Sequence, residues 1–205
     1  MDEISKKGKT VSLRLSLDAD KIHGFFPLLQ RGFEVKVQVG CSIKTMLCEQ
    51  FGLSPEYVEN RLKTIFLDGK PVDDVDSAII KEGSTLALSA AMPGLAGAIL
   101  RSGGHLAPLR GEIAYREENQ AISRREGMVI VKLFNLIMDE LGPIFLKRGI
   151  FLRREHLESF LIGLGEDFWA GCKGAQVDGQ EVGLDNLLRY LDKYDRVMLR
   201  VDWDD

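Results

Sequence analysis

Gly103 and Gly104 sit side by side in the run AAMPGLAGAILRSGGHLAPLRGEI, residues 90–113. Glycine has no Cβ, so it reaches backbone dihedrals closed to other residues and leaves its carbonyl unshielded. A diglycine at a chain end can thread a narrow active site and present a carboxylate for activation. Here Gly104 is bonded to His105. Its carbonyl becomes a carboxylate only if the chain is cut after Gly104. In that event Gly103 and Gly104 are the working tail, and Met92, Leu95, Leu100 and Arg101 beside them are the candidate partner contacts.

Other chemistry finds little support. The three cysteines, Cys41, Cys48 and Cys172, are odd in number and show no C-x-x-C spacing, which reads as a reduced, cytoplasmic protein. His23, His105 and His156 lie far apart and suggest no metal site. Asp73, Asp74 and Asp76 cluster in a turn of solvated character. No phosphate-binding glycine loop or nucleophile elbow occurs. The chain is therefore expected to be no enzyme and to need no cofactor. Were it one, a ligand would sit near Trp169 and His156.

The 205 residues carry a formal charge of −4, which argues against a nucleic-acid binder. Basic pairs at 124–125, 147–148 and 153–154 read as solvated helix ends. The polar start lacks the apolar core of a signal peptide, and no run is long enough for a membrane span.

The elements that would position the glycines precede them in the chain. Residues 10–17, TVSLRLSL, and 33–40, FEVKVQVG, alternate apolar with polar residues and predict two strands joined as a hairpin with a long loop. Ser42 caps a helix whose stripe is Ile43, Met46, Leu47 and Phe51, ended by Gly52. A strand at 64–67, a tight turn at Asp68-Gly69 and a strand at 84–90 complete the set. One amphipathic helix across one mixed sheet is a two-layer core, in the order of the ubiquitin-like β-grasp.

The stretch IFLDGKPVDDVDSAIIKEGSTLALSAAMPG, with its strand, DG turn, PV, acidic stretch and last strand, resembles the closing half of the ThiS/MoaD-type sulfur carriers. The resemblance covers roughly residues 10–92. It implies a carrier whose terminal glycine is adenylated and converted to a thiocarboxylate in cofactor biosynthesis, with a ThiF/MoeB-like adenylating enzyme as partner. The family ends at its glycines a few residues after the last strand. Here ten residues from Pro93 to Ser102 intervene, and the chain continues.

Beyond the glycines, residues 112–127 read as a polar linker. Ile130, Leu133, Phe134, Ile137, Leu141, Ile144 and Phe145 keep helical spacing and predict a helix from about 128 to 148, kinked or broken at Gly142-Pro143. A second helix is expected near 153–164, a hairpin around Asp178-Gly179, a third helix at 184–194 and a final strand at 196–203. FLDGKPV and QVDGQEV echo one another; the echo is read as what any such hairpin requires rather than as a repeat.

The expectation is an α+β protein in three parts. They are a β-grasp at 1–92 (a mixed sheet with one packed helix), a Gly-rich and polar connector at 93–127, and a smaller helix-rich α+β domain at 128–205. Its function is a sulfur-carrier-like protein cut after Gly104. The alternative is a two-domain protein-interaction module without carrier chemistry, its partner unknown.

Overall fold

The computed structural model describes residues 9–91, 94–100, 104–105, 114–115 and 123–204. The protein is α+β. Its compact units divide the chain differently from the 1–92 and 128–205 division: one joins residues 1–28 to 143–205, the other is 29–142. Among the described residues no helix is long and apolar enough to cross a membrane.

In the 29–142 unit, strand β2 (Phe33–Val39) leads into helix α2 (Ile43–Thr45) and a wider helical turn at Met46–Gln50. The Ser42 side chain accepts from the Thr45 N–H, as its capping role predicts. Ile43, Met46 and Leu47 are fully buried. Pro55 opens the short α3 (Pro55–Asn60), and β3 (Thr64–Leu67), β4 (Lys70–Pro71) and β5 (Thr85–Ser89) come after it.

The next strand corrects the sequence reading. Residues expected to be helical form strand β6 (Arg125–Phe134), and the helix α5 (Leu136–Arg148) starts only after Asn135. MVIVKLF satisfies a helical stripe and a two-residue alternation alike. The two-residue period wins because Val129, Val131 and Leu133 pack fully buried on one face while Met128, Ile130, Lys132 and Phe134 point to the other. Helix α5 runs through Pro143 without a break.

The strand order in this unit is β4-β3-β5-β6-β2. β6 is antiparallel to β2 and parallel to β5, and β3 is antiparallel to both β5 and β4. Gly127 lies against Val39: an added Cβ would sit 2.9 Å from a Val39 methyl and 2.5 Å from Glu82 Oε2.

The other unit opens with β1 (Thr10–Asp18) and a 3-10 turn at Ala19–Phe25, ahead of α1 (Phe26–Arg31). The chain returns with β7 (Ile150–Arg153), α6 (Arg154–Ile162), α7 (Glu166–Ala170), β8 (Cys172–Val177), β9 (Gln180–Val182), α8 (Leu187–Leu191) and β10 (Arg196–Asp204). The expected β1–β2 hairpin does not form. β1 pairs in parallel with β10 and antiparallel with β8. Phe25 is fully buried, its ring 5.6 Å from those of Phe160 and Phe168. The order here is β7-β10-β1-β8-β9.

Among the described residues each unit thus has five strands with the same sequence of pairings, read from β2 in one and from β7 in the other: antiparallel, parallel, antiparallel, antiparallel. The echo between FLDGKPV and QVDGQEV falls on matching hairpins, β3–β4 and β8–β9. Asp68 and Asp178 both have positive φ and each precedes a positive-φ glycine, Gly69 and Gly179, which is the geometry a tight hairpin demands. Asp68 Oδ1 accepts from the Thr85 N–H of β5 at 2.7 Å, and Asp178 Oδ1 from the Ser12 N–H of β1 at 2.9 Å. Each aspartate also donates its own N–H to the carbonyl of the same residue.

Candidate functional site

The sequence directs attention to the segment after β5. Ala90 is buried, and beyond it α4 (Gly94–Leu100) forms instead of an extended tail. Gly97 is buried on α4, and Ala98, Ile99 and Leu100 are half-buried. Leu95 lies on the same helix. Gly104 is half-buried and His105 exposed. Met92, Arg101 and Gly103 lie outside the described residues. Farther on, the Tyr115 N–H donates to the Pro71 carbonyl of β4 at 2.8 Å.

At the end of β5 a cavity of about 230 Å³ is lined by Phe66, Ala87, Ser89, Phe134 and Asn135. Phe66, Ala87, Ser89 and Phe134 share one sheet face, on which Thr64 neighbours Ser89 and Phe66 neighbours Ala87. Asn135 joins β6 to α5 in the left-handed region, φ 54°, and its Nδ2 donates to Ser89 Oγ at 2.8 Å. The buried Thr64 Oγ1 has no partner among the described residues. Apolar walls with one hydroxyl, Ser89, and one amide, Asn135, can hold a small uncharged group. No lining residue is basic enough to activate Ser89 as a nucleophile.

A polar cluster in the same unit ties α3 to α5. Tyr57 Oη donates to Glu140 Oε2 at 2.5 Å, and Arg61 holds the same carboxylate through Nε, at 2.8 Å from Oε1, and Nη2. The guanidinium, with help from the tyrosine hydroxyl, holds the Glu140 carboxyl below its usual range. Burial and then the Glu140 hydrogen bond push the Tyr57 hydroxyl upward. Both shifts favour the state that keeps the cluster closed: a charged carboxylate and a protonated phenol. The arrangement is a clasp, with no hydroxyl poised to lose its proton.

The remaining sequence candidates do not converge. Burial pushes all three cysteine thiols up, away from the reactive thiolate. Asp74 caps its own turn, accepting from the Asp76 and Ser77 N–H groups, and those bonds lower its carboxyl. Trp169 lines a largely apolar cavity of about 530 Å³ with Leu161, Ile162, Leu184 and Leu188, while His156 is exposed and is not among its lining residues. Among the described residues no group of three or more histidines, cysteines and carboxylates could hold a metal ion.

A basic face escapes the sequence reading. Arg153 and Arg154 stand at the start of α6, as the basic-pair reading expects, but Arg153 is also the last residue of β7, where it shares a sheet face with Arg14, Arg196 and Arg200. The signal is present as period two in TVSLRLSL and RVMLRVDW. Taken strand by strand, those polar positions read as solvent-facing. Their charge shows only when it is summed across neighbouring strands.

No protein-family model, no curated protein and no solved structure matches the chain.

Proposed function

We propose that the chain is a non-catalytic protein-interaction module of two units, each a ubiquitin-like β-grasp arrangement, in which Gly103-Gly104 belongs to an internal connector. The observation that carries this reading is the position of β6. That strand lies beyond Gly104 in sequence, yet stands between β5 and β2. β1 lies before Gly104, yet stands between β10 and β8. A cut after Gly104 would separate a central strand from the rest of each unit. The helical course of α4 and the half-buried Gly104 support the same reading, since an adenylation tail must be extended and free.

The sulfur-carrier reading keeps one specific support. β1 and β6 have nearly matching burial patterns, so β1 could stand where β6 stands and complete a β-grasp within residues 1–104. Intact mass of the protein from its native cell separates the two. Full-length chain alone is expected for the module. A fragment ending at Gly104, or that fragment heavier by the difference between sulfur and oxygen, would establish the processed carrier. A bulky Gly104 variant should block such processing if it occurs.

A further inference from the structure

The sheet of the unit formed by residues 1–28 and 143–205 has one face buried and one face charged. Along β1, Val11, Leu13, Leu15 and Leu17 are buried, and Ser12, Arg14 and Ser16 point the other way. Along β10, Val197, Leu199 and Val201 are buried, and Arg196, Met198, Arg200 and Asp202 point the other way. The parallel register sets Arg14 directly beside Arg200, and the antiparallel register sets Arg196 directly beside Arg153. Like charges at neighbouring positions on one face are destabilising. Here the arrangement occurs twice, on a chain whose formal charge is −4.

The Arg14/Arg200 pair is only partly balanced by its surroundings. Asp202 meets Arg14 at 3.4 Å, with both side chains nearly half exposed, 46% and 45%. Arg200 Nη2 donates to the Arg148 carbonyl, a neutral acceptor, at 3.2 Å. In the other pair, the Arg196 guanidinium lies over the Phe151 ring, 5.6 Å from its centre. Between the two arginine rows lies an apolar row in which Met198 neighbours Phe151. Toward the other end of β1 and β10 the sign reverses: Asp18 and Asp204 share Lys173.

We propose that this face docks an acidic protein segment in which an apolar residue stands between carboxylates. The carboxylates would lie on the Arg14/Arg200 and Arg196/Arg153 pairs, and the apolar residue on Met198 between them. Guanidinium groups bind carboxylates in paired, charge-assisted hydrogen bonds, and each such bond relieves the repulsion its arginine meets in the free protein. A nucleic-acid strand fits less well. Its phosphates would run onto Asp202, Asp204 and Asp18, and Phe151 is already covered by Arg196 instead of open for base stacking. The proposal rests on the interaction-module reading and names the chemistry of the partner.

The test uses the full-length protein and a short fluorescein-labelled peptide of alternating glutamate and leucine, followed by fluorescence anisotropy. A lysine–leucine peptide and an oligothymidylate serve as comparison probes. The acidic peptide should bind best, and the Arg14→Gln/Arg200→Gln variant should bind it about tenfold more weakly, with further loss as salt rises. Thermal unfolding of the variant should occur at or above the wild-type temperature, because a like-charge pair has been removed. Equal binding of the acidic and lysine peptides, equal binding by the variant, preference for oligothymidylate, or a fall in unfolding temperature would each overturn the proposal. None of these outcomes touches the intact-mass result, so the docking face and the module reading fail separately.

Discussion

The 29–142 unit and the unit formed by residues 1–28 and 143–205 reach the same strand pattern by different routes. In the first, the chain leaves the β3–β4 hairpin and lays β5 beside β3; β6 then enters from farther along. In the second, the chain leaves the β8–β9 hairpin and its next strand, β10, goes beside β7. The place beside β8 is held by β1, from the start of the sequence. Two parallel central strands run in the same direction and bury the same kind of face. Swapping their places leaves every neighbour's direction unchanged. What each place requires is an alternating apolar strand and a backbone partner for the hairpin aspartate. Thr85 of β5 and Ser12 of β1 meet that second requirement in the same way. Strand position depends on face pattern and local pairing more than on chain order.

The strongest way to break this comparison is to end the chain at Gly104. The 29–142 unit then loses β6, with the fully buried Val129, Val131 and Leu133, and β1 loses both of its neighbours. Burying a large aliphatic side chain contributes roughly 1.5–3 kcal/mol, and whole domains are stable by only about 5–15 kcal/mol. The 1–104 fragment should therefore show no cooperative thermal transition by circular dichroism. A sharp transition would mean that β1 takes the place of β6, and it would revive the carrier reading.

A smaller break is local to the β2–β6 pair. Gly127→Val places a branched side chain where even a Cβ meets Val39 and Glu82. Overpacking of this kind costs about 1–3 kcal/mol. Chemical denaturation should show that loss. A neutral result would mean that β6 packs less closely on β2 than this contact indicates.

The hairpins sharpen the comparison. Asp68→Ala and Asp178→Ala each remove a carboxylate acceptor from a central-strand N–H and put alanine at positive φ. Each should lower stability by about 1–2 kcal/mol, by similar amounts. If one substitution is neutral and the other is not, the two hairpins are similar in shape alone.

These particulars show why part of the fold was legible in the sequence. DG turns, the Ser42 cap and the alternations in β1, β2 and β10 act over a few residues, and the structure keeps them all. Two errors came from longer range. MVIVKLF carries both periods, and only its neighbours β2 and β5 decide between them. A β1–β2 hairpin rests on adjacency in sequence, but the partners of β1 lie more than 150 residues away. The arginine face was illegible for a related reason: each arginine is an ordinary polar position on its own strand, and the register alone makes them neighbours. The clasp of Tyr57, Arg61 and Glu140 joins residues 83 and 79 positions apart, and no spacing rule reaches that far.

That clasp offers the smallest effect and the sharpest sign. It belongs to the 29–142 unit, so its pH dependence reports on one side of the comparison. Glu140 titrates below its usual range in the folded protein because Arg61 and Tyr57 hold its charge. A depressed carboxyl stabilises the fold above its unfolded pKa, and that stability is lost as pH falls through the folded one. Tyr57 is shifted the other way, by burial first and Glu140 second. Its stabilisation is complete below the unfolded tyrosine value and declines as pH rises beyond it. Glu140→Gln should remove the acid-side dependence below the ordinary glutamate range of about 4.3 and weaken the alkaline-side dependence above about 10 without abolishing it, because the burial of Tyr57 remains. Unfolding temperature measured from pH 3 to 11 on wild type and Glu140→Gln tests both limbs. Coincident curves would show that the clasp adds nothing to stability. Convergence only at low pH would assign the work to Arg61 and leave Tyr57 as packing.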